Sequence, residues 1–238
     1  MAWARPFTTL SKNEGIAFVR VERVDKEFNT TSQPRFGYCK GDFRFVPVEL
    51  LDVAGLVPGA HEGKGMGNQF LDDLRPADVL IHVVDLSGST NEKGESIAPG
   101  TYDPVFDIKF LEFELDMWFL SIVKKGWDKF ARQIQQDQAD VVKSLAKQLS
   151  GLNVTIDMVD EVIKKLGLPK TPLDWFETDL NNLAVEFRKK TKPIIIAGNK
   201  CDLPFAQKNF ENIKEKFPDY IVIPVSYTHL TLPTKRIV

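Results

Sequence analysis

At 238 residues, with 43% hydrophobic and 27% charged residues, the chain can bury one substantial core or two modest ones, and its composition excludes extended disorder. A formal charge of -2 with interspersed acids and bases excludes a net field for DNA, RNA or an anionic membrane, so any nucleic-acid contact must be local. Cys39 and Cys201 are too few for a disulfide framework or a cysteine-rich zinc site, and the longest apolar run, residues 79–86, is far shorter than a membrane span. With no basic and apolar leader at its start, the chain is expected to be cytoplasmic.

Residues 16–24 and 43–51 are rich in Val, Phe and Ile and are separated by Gly37, Gly41 and Asp42, a pattern that predicts two strands joined by a turn. The short apolar runs 79–86 (VLIHVVDL), 193–198 (PIIIAG) and 220–225 (YIVIPV) suit strands buried on both faces of a mainly parallel sheet. Between Pro104 and Lys192 the period becomes helical. Leu111, Leu115, Trp118 and Ile122 form one stripe, and Phe130, Ile134, Val141, Leu145 and Leu149 a second. Ile156, Val159, Ile163 and Leu166 form a third, and Leu180, Leu183 and Phe187 a fourth, so four helices are predicted, with breaks at Gly126, Gly151 and 167–172. Lys124, Lys125, Lys129 and Arg132 read as a solvated helix face rather than a phosphate-binding patch.

The chemistry falls where strands end. Asn199, Lys200, Cys201 and Asp202 directly follow the run 193–198 and match the N-K-x-D pattern that reads guanine. A carboxylate at Asp202 can accept from both the N1 and N2 donors of guanine, which adenine lacks, so a base without them leaves that carboxylate unpaired. Lys200 would lay its stem along the base and Asn199 would tie the loop to its neighbours. Four residues alone also fit a polar turn that closes a strand. Asp52, Val53, Ala54 and Gly55 end the strand 43–51 in a D-x-x-G pattern, in which Asp52 holds Mg²⁺ through water and the Gly55 N–H meets a γ-phosphate. Five glycines between Gly55 and Gly67 demand a segment of unusual backbone freedom, as a nucleotide-dependent switch requires.

The segment 52–71, with its G-A-x-x-G-x-G-x-G-x-x-F-L form, closely resembles the second switch of Obg-family GTPases, most nearly in the YchF branch. Arg5, Pro6, Phe7, Thr8 and Thr9 are similar to that family's P-F-T-T first switch, in which a threonine ligates Mg²⁺; either Thr8 or Thr9 fits. The resemblance covers roughly residues 5–226, with three motifs in order. It implies an α/β fold of P-loop NTPase type, with a mainly parallel sheet whose first strand and phosphate loop are missing, and an inserted α-helical domain. The implied partition is an incomplete GTPase domain at 1–103 and 193–226, the helical insert at 104–192, and a tail at 227–238 that matches nothing expected and reads as non-native. Ser226 would begin the S-A-x motif that touches guanine. The implied ligands are GTP or GDP and Mg²⁺. The implied partner is the ribosome or RNA, reached through a further β-rich domain, with no DNA and no membrane.

Two departures matter. No G-x-x-x-x-G-K-[ST] occurs, which predicts weak or no GTP binding by this chain; micromolar binding of a fluorescent GTP analogue would overturn that. Leu56 stands where many GTPases carry a water-orienting glutamine, so intrinsic hydrolysis should be slow. His61 and His82 are the candidate catalytic histidines. Of His82 the resemblance implies a link to hydrolysis, but ordinary core histidines outnumber catalytic ones, and a buried, hydrogen-bonded strand histidine is the expectation. YchF-like proteins generally carry N-x-x-E; Asp202 is retained here, as in archaeal-type relatives, and implies guanine over adenine. The alternative function is a non-catalytic helical interaction module derived from a GTPase.

Overall fold

The computed structural model of the chain describes residues 13–53, 56, 58–63 and 71–227. The chain divides into two units, one of Phe7–Gly55 and one of Met1–Pro6 with Leu56–Val238.

In the smaller unit, strand β1 (Asn13–Glu22) pairs antiparallel with β3 (Phe43–Asp52) from Asn13 opposite Asp52 to Glu22 opposite Phe43. The short strand β2 (Tyr38–Lys40) lies on the other side of β3, giving the order β1-β3-β2. The turn at Gly41 and Asp42 therefore joins β2 to β3 rather than the two long strands, whose connection instead carries a 3-10 turn at Val24–Lys26. Two local devices hold that connection: a bidentate contact of the Arg23 guanidinium to Asp25 at 3.0 and 2.6 Å, and Tyr38 stacked on Phe45 with ring centroids 4.8 Å apart.

The larger unit is built on a parallel sheet of β4 (Leu80–Asp85), β5 (Ile194–Asn199) and β6 (Ile221–Pro224), in that order. Parallel neighbours need a crossover, and a helix α6 (Ala206–Lys216) provides it between β5 and β6. Between β4 and β5 the crossover is enlarged into five α-helices: α1 (Val105–Lys124), α2 (Trp127–Asp137), α3 (Val141–Gln148), α4 (Ile156–Leu166) and α5 (Glu177–Thr191).

Residues 130–149, expected as one helix, form two. Gln138 adopts a left-handed φ of 49°, and the Asp140 side chain then accepts from the N–H groups of Val142 and Lys143, which starts α3 afresh. Helix α1 packs on α5, and α5 on α4, around the fully buried Leu115, Phe119, Val159, Leu183 and Phe187. The buried Arg188 of α5 reaches Asp116 at 2.8 Å and Glu112 at 3.4 Å on α1, and the Tyr220 hydroxyl bonds the same Glu112. Lys192, also buried, donates to the carbonyls of Arg75 and Ala77 at 2.7 and 2.6 Å, so its charge is compensated where α5 enters β5. No helix among the described residues is long and apolar enough to cross a membrane.

Candidate functional site

The C-terminal ends of the three parallel strands are drawn together by main-chain bonds. Leu86 N–H donates to the Asn199 carbonyl at 3.0 Å, Val225 N–H to Gly198 at 2.8 Å and Cys201 N–H to Val225 at 3.1 Å. Ligands of open α/β sheets bind at this end, outside the carboxyl ends of the strands. Gly198 permits the approach: a Cβ there would lie 2.6 Å from Leu86 Cδ1.

Asn199 and Lys200 are half-buried at this edge, and Asp202 is exposed just beyond them. The Asn199 side-chain oxygen accepts from Lys200 N–H at 2.8 Å and from Tyr227 N–H at 3.3 Å, which joins the loop after β5 to the loop after β6, where Ser226 sits half-buried. Lys200 has a left-handed φ of 58°.

Lys200 Nζ does not stand alone. It contacts Asp85 Oδ2 at 2.7 Å, Ser89 Oγ at 2.9 Å and Thr90 Oγ1 at 3.2 Å. Asp85, the last residue of β4, also accepts from Ser87 N–H at 2.9 Å, Ser87 Oγ at 2.6 Å, Ser89 Oγ at 2.9 Å and Thr90 Oγ1 at 2.7 Å. Burial works to raise the Asp85 pKa, but the bonds from Lys200 and the three hydroxyls outweigh it and hold the carboxyl down to about 2. Asp85 thus fixes the position of Lys200 and ties the loops after β4 and β5 into one rim. Sequence reasoning missed this residue; an acid ending an apolar strand, followed by Ser87, Ser89 and Thr90, was the available signal.

A second constellation lies at Pro58–Gly63. Gly59 and Gly63, with φ of 82° and 86°, bound a 3-10 turn of Ala60–Glu62, conformations that glycine alone adopts without strain. The carboxylate of Glu114, a buried residue of α1, accepts from Gly59 N–H at 2.7 Å and His61 N–H at 3.1 Å, and lies 2.6 Å from His61 Nδ1. Burial again opposes ionisation, and the bonds from the His61 ring and the two amides overcome it, so the Glu114 pKa is lowered. The His61 ring also meets Phe113 edge-on at 5.7 Å. His61 therefore faces a carboxylate of the helical block.

His82 sits mid-strand in β4, opposite Ile196 and three residues before Asp85. Its side chain departs from the expected hydrogen-bonded state: Nδ1 is enclosed and has no partner among the described residues, and burial lowers the pKa to about 4. Asp52 ends β3 in the smaller unit, exposed and opposite Asn13. Thr8, Thr9 and Gly55 lie outside the described residues, as does the tail from residue 228.

Comparison with known proteins agrees with the strand-end motifs. Residues 4–106 match the family model of the 50S ribosome-binding GTPase. An uncharacterized GTP-binding protein of Methanocaldococcus jannaschii is 51% identical over 97% of this chain and 57% of its own length. The ribosome-binding ATPase YchF of Mycoplasma genitalium is 30% identical over 98% of this chain and 59% of its own. A solved structure of a GTP-binding protein from Pyrococcus horikoshii superposes with a TM-score of 0.76 at 36% identity, over 90% of this chain and 58% of that one. The chain thus spans little more than half the length of these relatives, and its fold is that of P-loop GTPases. From the order of the motifs in the sequence and these matches together, the chain belongs to the Obg and YchF family of GTP-binding proteins.

Proposed function

We propose that this chain is the guanine-reading and switching part of a GTP-binding protein that hydrolyses GTP slowly and reports its nucleotide state to a translation-related partner in the cytoplasm. The observation that carries the reading is the loop Asn199–Asp202 at the C-terminal end of β5, braced by the Lys200 to Asp85 contact of 2.7 Å and by Asn199 toward the loop after β6. A preorganised rim with an exposed carboxylate at Asp202 suits a base that offers two adjacent N–H donors. The M. jannaschii relative is named a GTP-binding protein and the M. genitalium relative a ribosome-binding ATPase. Asp202 supports guanine for this chain, and the second name supports a ribosomal partner.

Asp52, with Thr8 or Thr9, would hold Mg²⁺. A single exposed carboxylate with a hydroxyl fits that ion, which keeps several waters and takes its remaining ligands from phosphate oxygens. When bound, the ion would neutralise charge on the terminal phosphates. Leu56 offers no group to orient water, and His61 and His82 are the remaining candidates for that task.

Ligand-observed NMR, which reads millimolar affinities, tests the base preference. GTP should receive saturation transfer from this chain, which an excess of GDP removes and an excess of ATP does not. Asp202→Asn should shift the preference from GTP to xanthosine triphosphate, whose N2 donor is replaced by a carbonyl. Equal displacement by GTP and ATP would sink the assignment.

A further inference from the structure

The nucleotide-site motifs account for the strand ends but leave Glu114 without a role. It lies in the middle of α1, is 2% exposed, and its neighbours on the buried side are Leu111, Leu115 and Trp118. An acid in such a place needs compensating donors, and they come from residues more than fifty positions earlier in the chain: two main-chain N–H groups and the His61 ring. The opposite side of the same helix is tied differently. Glu112 and Asp116, two residues to either side of Glu114, meet the buried Arg188 of α5, and Glu112 also meets Tyr220, the residue before β6. Two residues along an α-helix turn through about 200°, so these contacts leave α1 on the side away from Glu114.

We propose that Glu114 is the positioning residue that makes α1 a lever on the loop Pro58–Gly63. The reading rests on this loop belonging to the nucleotide-responsive switch that the sequence 52–71 resembles. The carboxylate holds the loop by its backbone, so its grip depends little on which side chains the loop carries. The His61 ring, packed at its edge on Phe113, adds the third contact. When the loop changes conformation, either the three donors leave a buried anion behind or α1 moves with them. A buried anion stripped of donors is costly, so movement of α1 is favoured. Through Arg188 the displacement passes to α5 and the helical block. Packed elements with two discrete arrangements carry such coupling. In the reverse direction, a partner that seizes the helical block would reset the loop and with it any water-orienting role of His61.

Hydrogen exchange of the nucleotide-free chain, read at single amides, tests the lever independently of whether the chain binds GTP. Glu114→Gln keeps the side-chain shape but removes the charge and one acceptor, and should speed exchange at Gly59 and His61 about tenfold or more. His61→Ala leaves the sequence of α1 intact, and should speed exchange by threefold or more not only in α1 around residues 111–118 but also in α5 around Arg188, which His61 does not touch. Lys190→Gln, which breaks a surface contact to Glu161 2.7 Å long, serves as the control and should change neither. Unchanged exchange at Gly59 and His61 in Glu114→Gln, or acceleration in His61→Ala confined to the loop and α1, would overturn the proposal. If Glu114→Gln fails to fold, the His61→Ala arm alone decides.

Discussion

An imidazole whose Nδ1 is enclosed and has no partner among the described residues resists taking up a proton, and desolvation is the one influence acting on His82. Burial alone holds its pKa at about 4, against an ordinary value of 6.5. The unfolded chain therefore binds the proton first as pH falls, and stability is lost progressively from pH 6.5 to 4. By pH 5 the loss should be roughly 2 kcal/mol, and roughly 3 kcal/mol when both states are protonated. The depressed carboxylates do not blur the part of this window above pH 5. Asp85, with its pKa held at about 2, contributes stability that persists until pH falls below 3.8, and Glu114, also lowered, acts below the ordinary glutamate range. His82→Leu should flatten the dependence of urea midpoints on pH between 7 and 5; an unchanged slope would show that another group titrates there. The same residue marks a limit of sequence reading. Its place on an apolar strand was legible, but whether its nitrogens find partners depends on side chains of other elements. Asp85 and Glu114 escaped notice for a related reason. Each is an acid inside an apolar pattern, one ending a strand and one three residues after Leu111 on a helical stripe, and only the fold supplies the donors that make it affordable.

At the level of elements, the parallel strands were legible because each is a short apolar run that no helix period fits, and β4, β5 and β6 begin and end within a residue or so of the expected runs, whereas the three-residue β2 carries no such run and was not foreseen. Helix α1 and helices α4 and α5 were equally plain. The division of 130–149 was not, because Val141, Leu145 and Leu149 continue the apolar stripe past Gln138, and the break is made by one left-handed residue and one capping carboxylate. The motif loop after β5 depends on a spacing that the pattern alone does not reveal. Leu86 is fully buried against Gly198, so β4 and β5 leave no room for a methyl group at the strand end. Gly198→Ala should therefore force Leu86 or the strand end to shift, at about 1–3 kcal/mol of stability. Circular dichroism melts would measure the loss, and the Asn199–Asp202 loop should show the largest amide shift changes. A variant as stable as the parent would mean that Leu86 can turn aside.

For the larger unit as a whole, the sheet carries a feature at odds with its class. Parallel sheets are ordinarily covered on both faces. Here Leu80, Val84, Ile194 and Ile196 are buried, while the alternate residues form ladders across the strands: Ile81, Ile195 and Ile221 in one row, Val83, Ala197 and Ile223 in the next. Ile81 and Ile221 are 57% and 61% exposed, and Val83 and Ile223 are 51% and 46% exposed. Four exposed branched side chains thus flank the buried Ala197 and half-buried Ile195 on one face, unlike the scattered exposed leucines of most proteins. At about 25 cal/mol per Å² of apolar surface removed from water, covering such a face is strongly favourable, so the isolated chain should seek a cover. It should bind the dye anilinonaphthalene sulfonate and self-associate with rising concentration in light scattering. Replacing Ile81 and Ile223 together by Thr, which keeps the β-branched shape, should reduce both while leaving the helical signal intact. If the parent stays monomeric and dark at 100 micromolar, about the concentration used for NMR, then this face is covered in solution by another part of the same chain.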